Sequence, residues 1–162
     1  MPVASELSIE TAASAMQMAD AMFGSGITIT GASHTGVQGA SGIYSNGDTV
    51  APGLTPSDSG VILSTGNAQD VTNSSGDVNT SARTTTRLGS AGDDDLTVLA
   101  GAQTFVAAVL EAEFMPAGST QTMQFVFSSE EYLEWVGKGV NDVVGVWVNG
   151  EQADMTIGTG DI

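Results

Sequence analysis

A chain of 162 residues with 19 acidic and three basic side chains carries a formal charge of −16. Arg83, Arg87 and Lys138 are the only side chains able to meet a phosphate, which argues against nucleic acid and against an anionic membrane surface as partners. The absence of cysteine removes disulfides, thiolate metal sites and cysteine nucleophiles from consideration.

The length suits a single domain with a sizeable core, and no apolar run approaches the ~20 residues needed to span a bilayer. Met1 to Glu10 has neither a basic region nor a continuous apolar stretch, so it does not read as a secretory signal. From residue 8 to 23, Ile9, Ala12, Ala13, Met16, Ala19 and Phe23 recur at helical spacing. Ser8 is positioned to cap that helix and Gly24 to end it, which predicts one N-terminal α-helix. Ile27-Thr28-Ile29-Thr30 and Gly42 to Tyr44 alternate as strands do, and Val61-Ile62-Leu63 is a short buried run. Residues 67–92 are rich in Ser, Thr, Asn and Gly and predict a long surface excursion.

A strand-rich part follows over residues 104–157. Leu110, Ala112 and Phe114 point one way and Glu111 and Glu113 the other, the pattern of a half-buried strand. Pro116 and Gly118 form a turn, and Met123, Phe125 and Phe127 supply the inward face of the next strand. Val143 to Val148 is apolar on both faces and predicts a central strand, closed by a hairpin at Asn149-Gly150. Short strands, glycine-rich turns and one helix together predict a mainly β fold, an antiparallel β-sandwich of jelly-roll type with one N-terminal helix. No repeat or linker divides the chain.

Glu130, Glu131, Asn141 and Asp142, with Glu134 between them, lie where a hairpin loop brings its two ends together. Carboxylate and amide oxygens so clustered suit calcium, and repel one another unless a cation neutralises them. The alternative is a solvated acidic loop. Asp93, Asp94 and Asp95 form a second, weaker calcium candidate, set against a plainer role in capping a helix that starts at Leu96. The acidic loop also carries Tyr132 and Trp135, candidates for contact with a glycan or a partner, whereas Trp147 belongs to the most apolar strand and to the core. The single histidine, His34, reads as a loop residue between Gly31 and Gly36, with no nucleophile elbow around it. The threonines at 28, 30 and 84–86 lack the period that a flat ice-binding or glycan-facing array needs.

The run Phe125-Val126-Phe127-Ser128-Ser129-Glu130-Glu131-Tyr132 and the later Asn141-Asp142-Val143-Val144-Gly145-Val146-Trp147-Val148-Asn149-Gly150 resemble the core of the choice-of-anchor L domain family. Gly26 to Ile29, Ser41 to Tyr44 and Gly60 to Gly66 extend the resemblance over most of the chain. It implies a secreted or surface-attached bacterial module of no catalytic activity, whose relatives run on beyond the position of Ile162. A domain short of its last strands would expose a sheet edge to another chain. The expected function is therefore that of a structural or adhesive extracellular protein, calcium-stabilised and self-assembling into a filament or surface layer. Contacts with its own kind would run through strand edges or the N-terminal helix. A carbohydrate-binding module presenting Tyr132 and Trp135 is the alternative, and a glycoside hydrolase using a carboxylate pair a distant third.

Overall fold

The structure, a computed structural model, describes residues 6–71, 88–129, 138 and 142–153. It is a mainly β protein whose ladders are all antiparallel. One sheet has the order β1-β3-β4, from strands Ser8–Glu10 (β1), Ser41–Ser45 (β3) and Gly60–Leu63 (β4). A second pairs Ile27–Thr35 (β2) with Val109–Pro116 (β5), and Trp147–Val148 (β6) pairs with Glu151–Gln152 (β7).

Helix α1, Ala15–Met22, packs against both larger sheets. Met18 and Ala19 are buried on its inner face, and the Phe23 ring at its end meets Phe114 of β5 with centroids 5.0 Å apart. Such a tilted aromatic pair contributes about 1 kcal/mol beyond its area. Leu7, Ala40, Tyr44, Ala51, Ala68 and Ala107 complete the buried apolar set among the described residues. Small side chains dominate it, so backbones approach closely. At Gly42 a β-carbon would lie 2.7 Å from Ile9 Cγ2 and 2.8 Å from the Glu10 carbonyl oxygen, so only glycine lets β1 pair with β3 in this register.

The helix begins later than its periodicity predicts. Ser8, Ile9 and Glu10 pair with Ser45, Tyr44 and Ile43, and the ladder takes precedence over the helical spacing. Ser14 then caps the helix in place of Ser8. Its hydroxyl accepts from the Gln17 amide while the Gln17 side chain accepts from the Ser14 amide, a reciprocal capping box. Nor is the helix alone: α2 spans Gly47–Val50 and α3 spans Asp94–Ala100.

Strand β2 carries a bulge between Ile29 and Gly31. The extra residue, Thr30, turns its hydroxyl to the Glu113 carbonyl at 3.2 Å. The bulge shifts the alternation by one, so the face that begins with Ile27 and Ile29 continues with Ala32 and His34. His34 is therefore a strand residue opposite Leu110, and not the loop residue its flanking glycines suggest. In β5 the expected alternation holds: Leu110, Ala112 and Phe114 are half-buried, Glu111 and Glu113 exposed.

Two expected strands differ. Residues 121–129 form no ladder with any described residue, and Met123, Phe125 and Phe127 are 42, 39 and 51 % exposed instead of facing inward. Between Val143 and Val148 only Trp147 and Val148 pair, in the short hairpin, and Val148 is exposed; no neighbouring strand flanks it among the described residues to make it central. Trp147 is half-buried, its ring folded over Gly145 beside Leu99. The hairpin turn forms as predicted, with Asn149 and Gly150 both at positive φ (53° and 80°).

Candidate functional site

Apolar segments on either side of the acidic stretch direct attention to where that stretch begins and ends. Ser129 closes the first side and Asp142 opens the second, and the Ser129 hydroxyl donates to Asp142 Oδ2 at 2.8 Å. The two ends of the intervening segment are thereby brought together, as its spacing predicts. Glu130, Glu131, Tyr132, Trp135 and Asn141 lie outside the described residues, as does Glu134. Asp142 is exposed, so its carboxylate is open to solvent cations.

The aspartate triplet acts on the backbone. Asp93 is the N-cap of α3, and its Oδ1 accepts from the Leu96 amide at 3.0 Å. Asp94 and Asp95 fill the first turn, where negative charge is favourable beside the unpaired amides. A threonine clasp fixes the cap from behind. The Thr104 hydroxyl donates to the Asp93 carbonyl at 3.0 Å, and the Thr97 and Thr104 hydroxyls are 2.8 Å apart. Among the described residues no group of three or more carboxylate, histidine or cysteine side chains converges to hold a metal ion.

A cleft of about 260 Å³ runs between the end of β2 and the Ala91–Phe105 bridge, with Gly36, Ser90, Gly92 and Ala107 among its walls. No local pattern announces it, because its walls come from segments distant in the chain. Ser90 Oγ and, nearby against Gly36, His34 Nε2 are buried and make no hydrogen bond with any described residue. No hydrogen bond joins His34 Nε2 to a serine hydroxyl or a carboxylate among the described residues. On the outer side of the β2–β5 sheet, Ser33 donates to Glu111 Oε2 at 2.8 Å beside exposed Thr28, Thr30 and Glu113. This face is polar and solvated.

The family model described as the choice-of-anchor L domain matches residues 7–159. The chain belongs to that family. Comparison with curated proteins and with solved structures returned no match. As a choice-of-anchor L domain it is a secreted or surface-associated bacterial module, from a family of non-catalytic surface domains. No helix among the described residues is long and apolar enough to cross a membrane.

Proposed function

We propose that this choice-of-anchor L domain is a structural, adhesive subunit of the bacterial surface that self-associates through strand pairing and is stabilised by calcium at the loop between Ser129 and Asp142. The observation that carries the self-association reading is the outer edge of β2. This strand is nine residues long, pairs on one side only among the described residues, and contains no proline and no acidic or basic side chain apart from His34. Edge strands of soluble proteins are ordinarily guarded by lysine, proline or brevity, and among the described residues a single bulge is the only such device here.

The charge of −16 opposes close approach of two copies, since like-charged surfaces repel over about 10 Å at 0.1 M ionic strength. A divalent cation neutralises that repulsion and occupies oxygen donors such as Asp142, Glu130, Glu131 and Asn141. Both halves of the proposal then point to one behaviour: association that depends on calcium. Sedimentation velocity of the purified chain in calcium, and again with EGTA, tests it. Multimers in calcium that fall to monomer in EGTA support the reading. A monomer under both conditions removes self-association and leaves glycan recognition by Tyr132 and Trp135 as the reading to pursue.

A further inference from the structure

The second sheet ends at β5, and the backbone shows how β5 meets its open side. Ala117 donates its amide to the Gly26 carbonyl at 2.8 Å, and the Thr30 hydroxyl reaches the Glu113 carbonyl. Because successive residues of a strand direct their backbone groups to opposite sides, Glu113, Met115 and Ala117 face β2. Leu110, Ala112 and Phe114 therefore hold their amides and carbonyls toward the open side, where no described strand pairs with them. These three are also the half-buried residues of β5. Backbone groups in such a setting call for partners.

The chain supplies a candidate within a few residues. After Pro116, four residues (117–120) lead into 121–128, all exposed and in no ladder with any described residue. Laying 121–128 antiparallel on β5 across that four-residue connection sets Met123 opposite Phe114, Phe125 opposite Ala112 and Phe127 opposite Leu110. Every apolar residue of the alternating set meets an apolar residue of the face that carries the Phe23 contact. A slip of one residue would put all three on the polar face. The hydrogen-bonded positions coincide as well, because Leu110, Ala112 and Phe114 offer their backbone groups on that side. Four-residue connections are common hairpin loops.

We infer that residues 121–128 add to the open edge of β5 as the third strand of the β2–β5 sheet of the same chain. The closed form has a definite consequence for the acidic loop. Continuing the register sets Ser129 opposite Ala108, so the loop begins beside the cleft walled by Ala107. Strand addition thus couples the loop to the sheet. Closure within one chain is favoured over exchange between copies because the short connection makes the local concentration of the strand high. The inference does not depend on self-association at β2, which uses the opposite edge of the sheet.

The chain's lack of cysteine makes the test direct. In the inferred register Glu113 and Gln124 are a non-hydrogen-bonded pair on the solvent face, where β-carbons lie about 4.5–5.5 Å apart, near disulfide reach. The variant Glu113→Cys with Gln124→Cys, oxidised mildly and mapped by peptide mass spectrometry, is expected to form an intrachain disulfide in the monomer fraction. Glu113→Cys with Phe125→Cys, one residue off and on opposite faces, is expected not to. No disulfide in the first variant, or one formed only between copies, overturns the inference. Should the variants fail to fold, amide hydrogen exchange on the unaltered chain decides. Protection of the Met123, Phe125 and Phe127 amides by on the order of 100-fold supports the third strand; exchange at the free-peptide rate rejects it.

Discussion

Ser129 and Asp142 are thirteen positions apart in the chain, and the serine hydroxyl donates to the aspartate carboxylate at 2.8 Å. The contact draws together the two ends of the acidic segment. If calcium binds there, it stabilises the folded form in proportion to ligand excess, by about 2.7 kcal/mol at a hundredfold excess over Kd. For a domain of this size that corresponds to a rise in Tm of roughly 5–10 °C. Asp142→Ala is expected to abolish most of the difference in Tm between calcium and EGTA, and Ser129→Ala to reduce it. A difference unchanged in Asp142→Ala would show that the cation acts elsewhere.

Asp93 is assigned to the helix cap. Asp93→Ala should lower stability by about 1 kcal/mol, and Asp93→Ser should recover most of it, since serine also accepts from the Leu96 amide position. Urea unfolding measures both. Equal losses in the two variants would mean that the carboxylate does something other than cap.

Gly42 is the position where backbone approach is tightest in the first sheet. Gly42→Ala forces a methyl group against Ile9 and the Glu10 carbonyl, and should cost roughly 2–3 kcal/mol by pushing β1 off β3. The loss should appear as a lower denaturant midpoint, together with faster amide exchange in Ser8–Glu10. A neutral result would show that β1 shifts at little cost.

The outer edge of β2 can be guarded by substitution. Thr28 is exposed and outside the Phe23–Phe114 contact, so Thr28→Lys places a charge on the edge without altering the packed face. Multimers formed in calcium should weaken about tenfold or more in apparent affinity, with Tm changed by no more than a degree or two. Thr28→Val, which keeps strand preference, should leave association intact.

Where local pattern and fold agree, the sequence was a good guide. Alternation revealed the half-buried face of β5 and the strand around Ile27, the dipeptide Asn149-Gly150 its turn, and the apolar run at Val61 a strand, though Leu63 is exposed and not buried as that run suggests. Capping by Asp93 was legible because it too depends on neighbours in sequence. What was hidden depends on partners distant in sequence. Ser8–Glu10 fits a helical period and becomes a strand only because β3 is there to pair with it. The bulge at Thr30 reverses the parity of β2, so the alternation of Ile27 and Ile29 could not be carried on to His34. Met123, Phe125 and Phe127 declare a common face, but alternation alone names no neighbour. Of the calcium ligands proposed at the acidic loop only Asp142 falls among the described residues, where it accepts from Ser129; Asp93, Asp94 and Asp95, the second candidate set, lie at the start of α3.

The most direct test of the central claim is electron microscopy of the purified chain in calcium and again in EGTA. Ordered filaments or lattices that disperse in EGTA are the predicted result. Dispersed single particles in both conditions would contradict a calcium-dependent structural subunit.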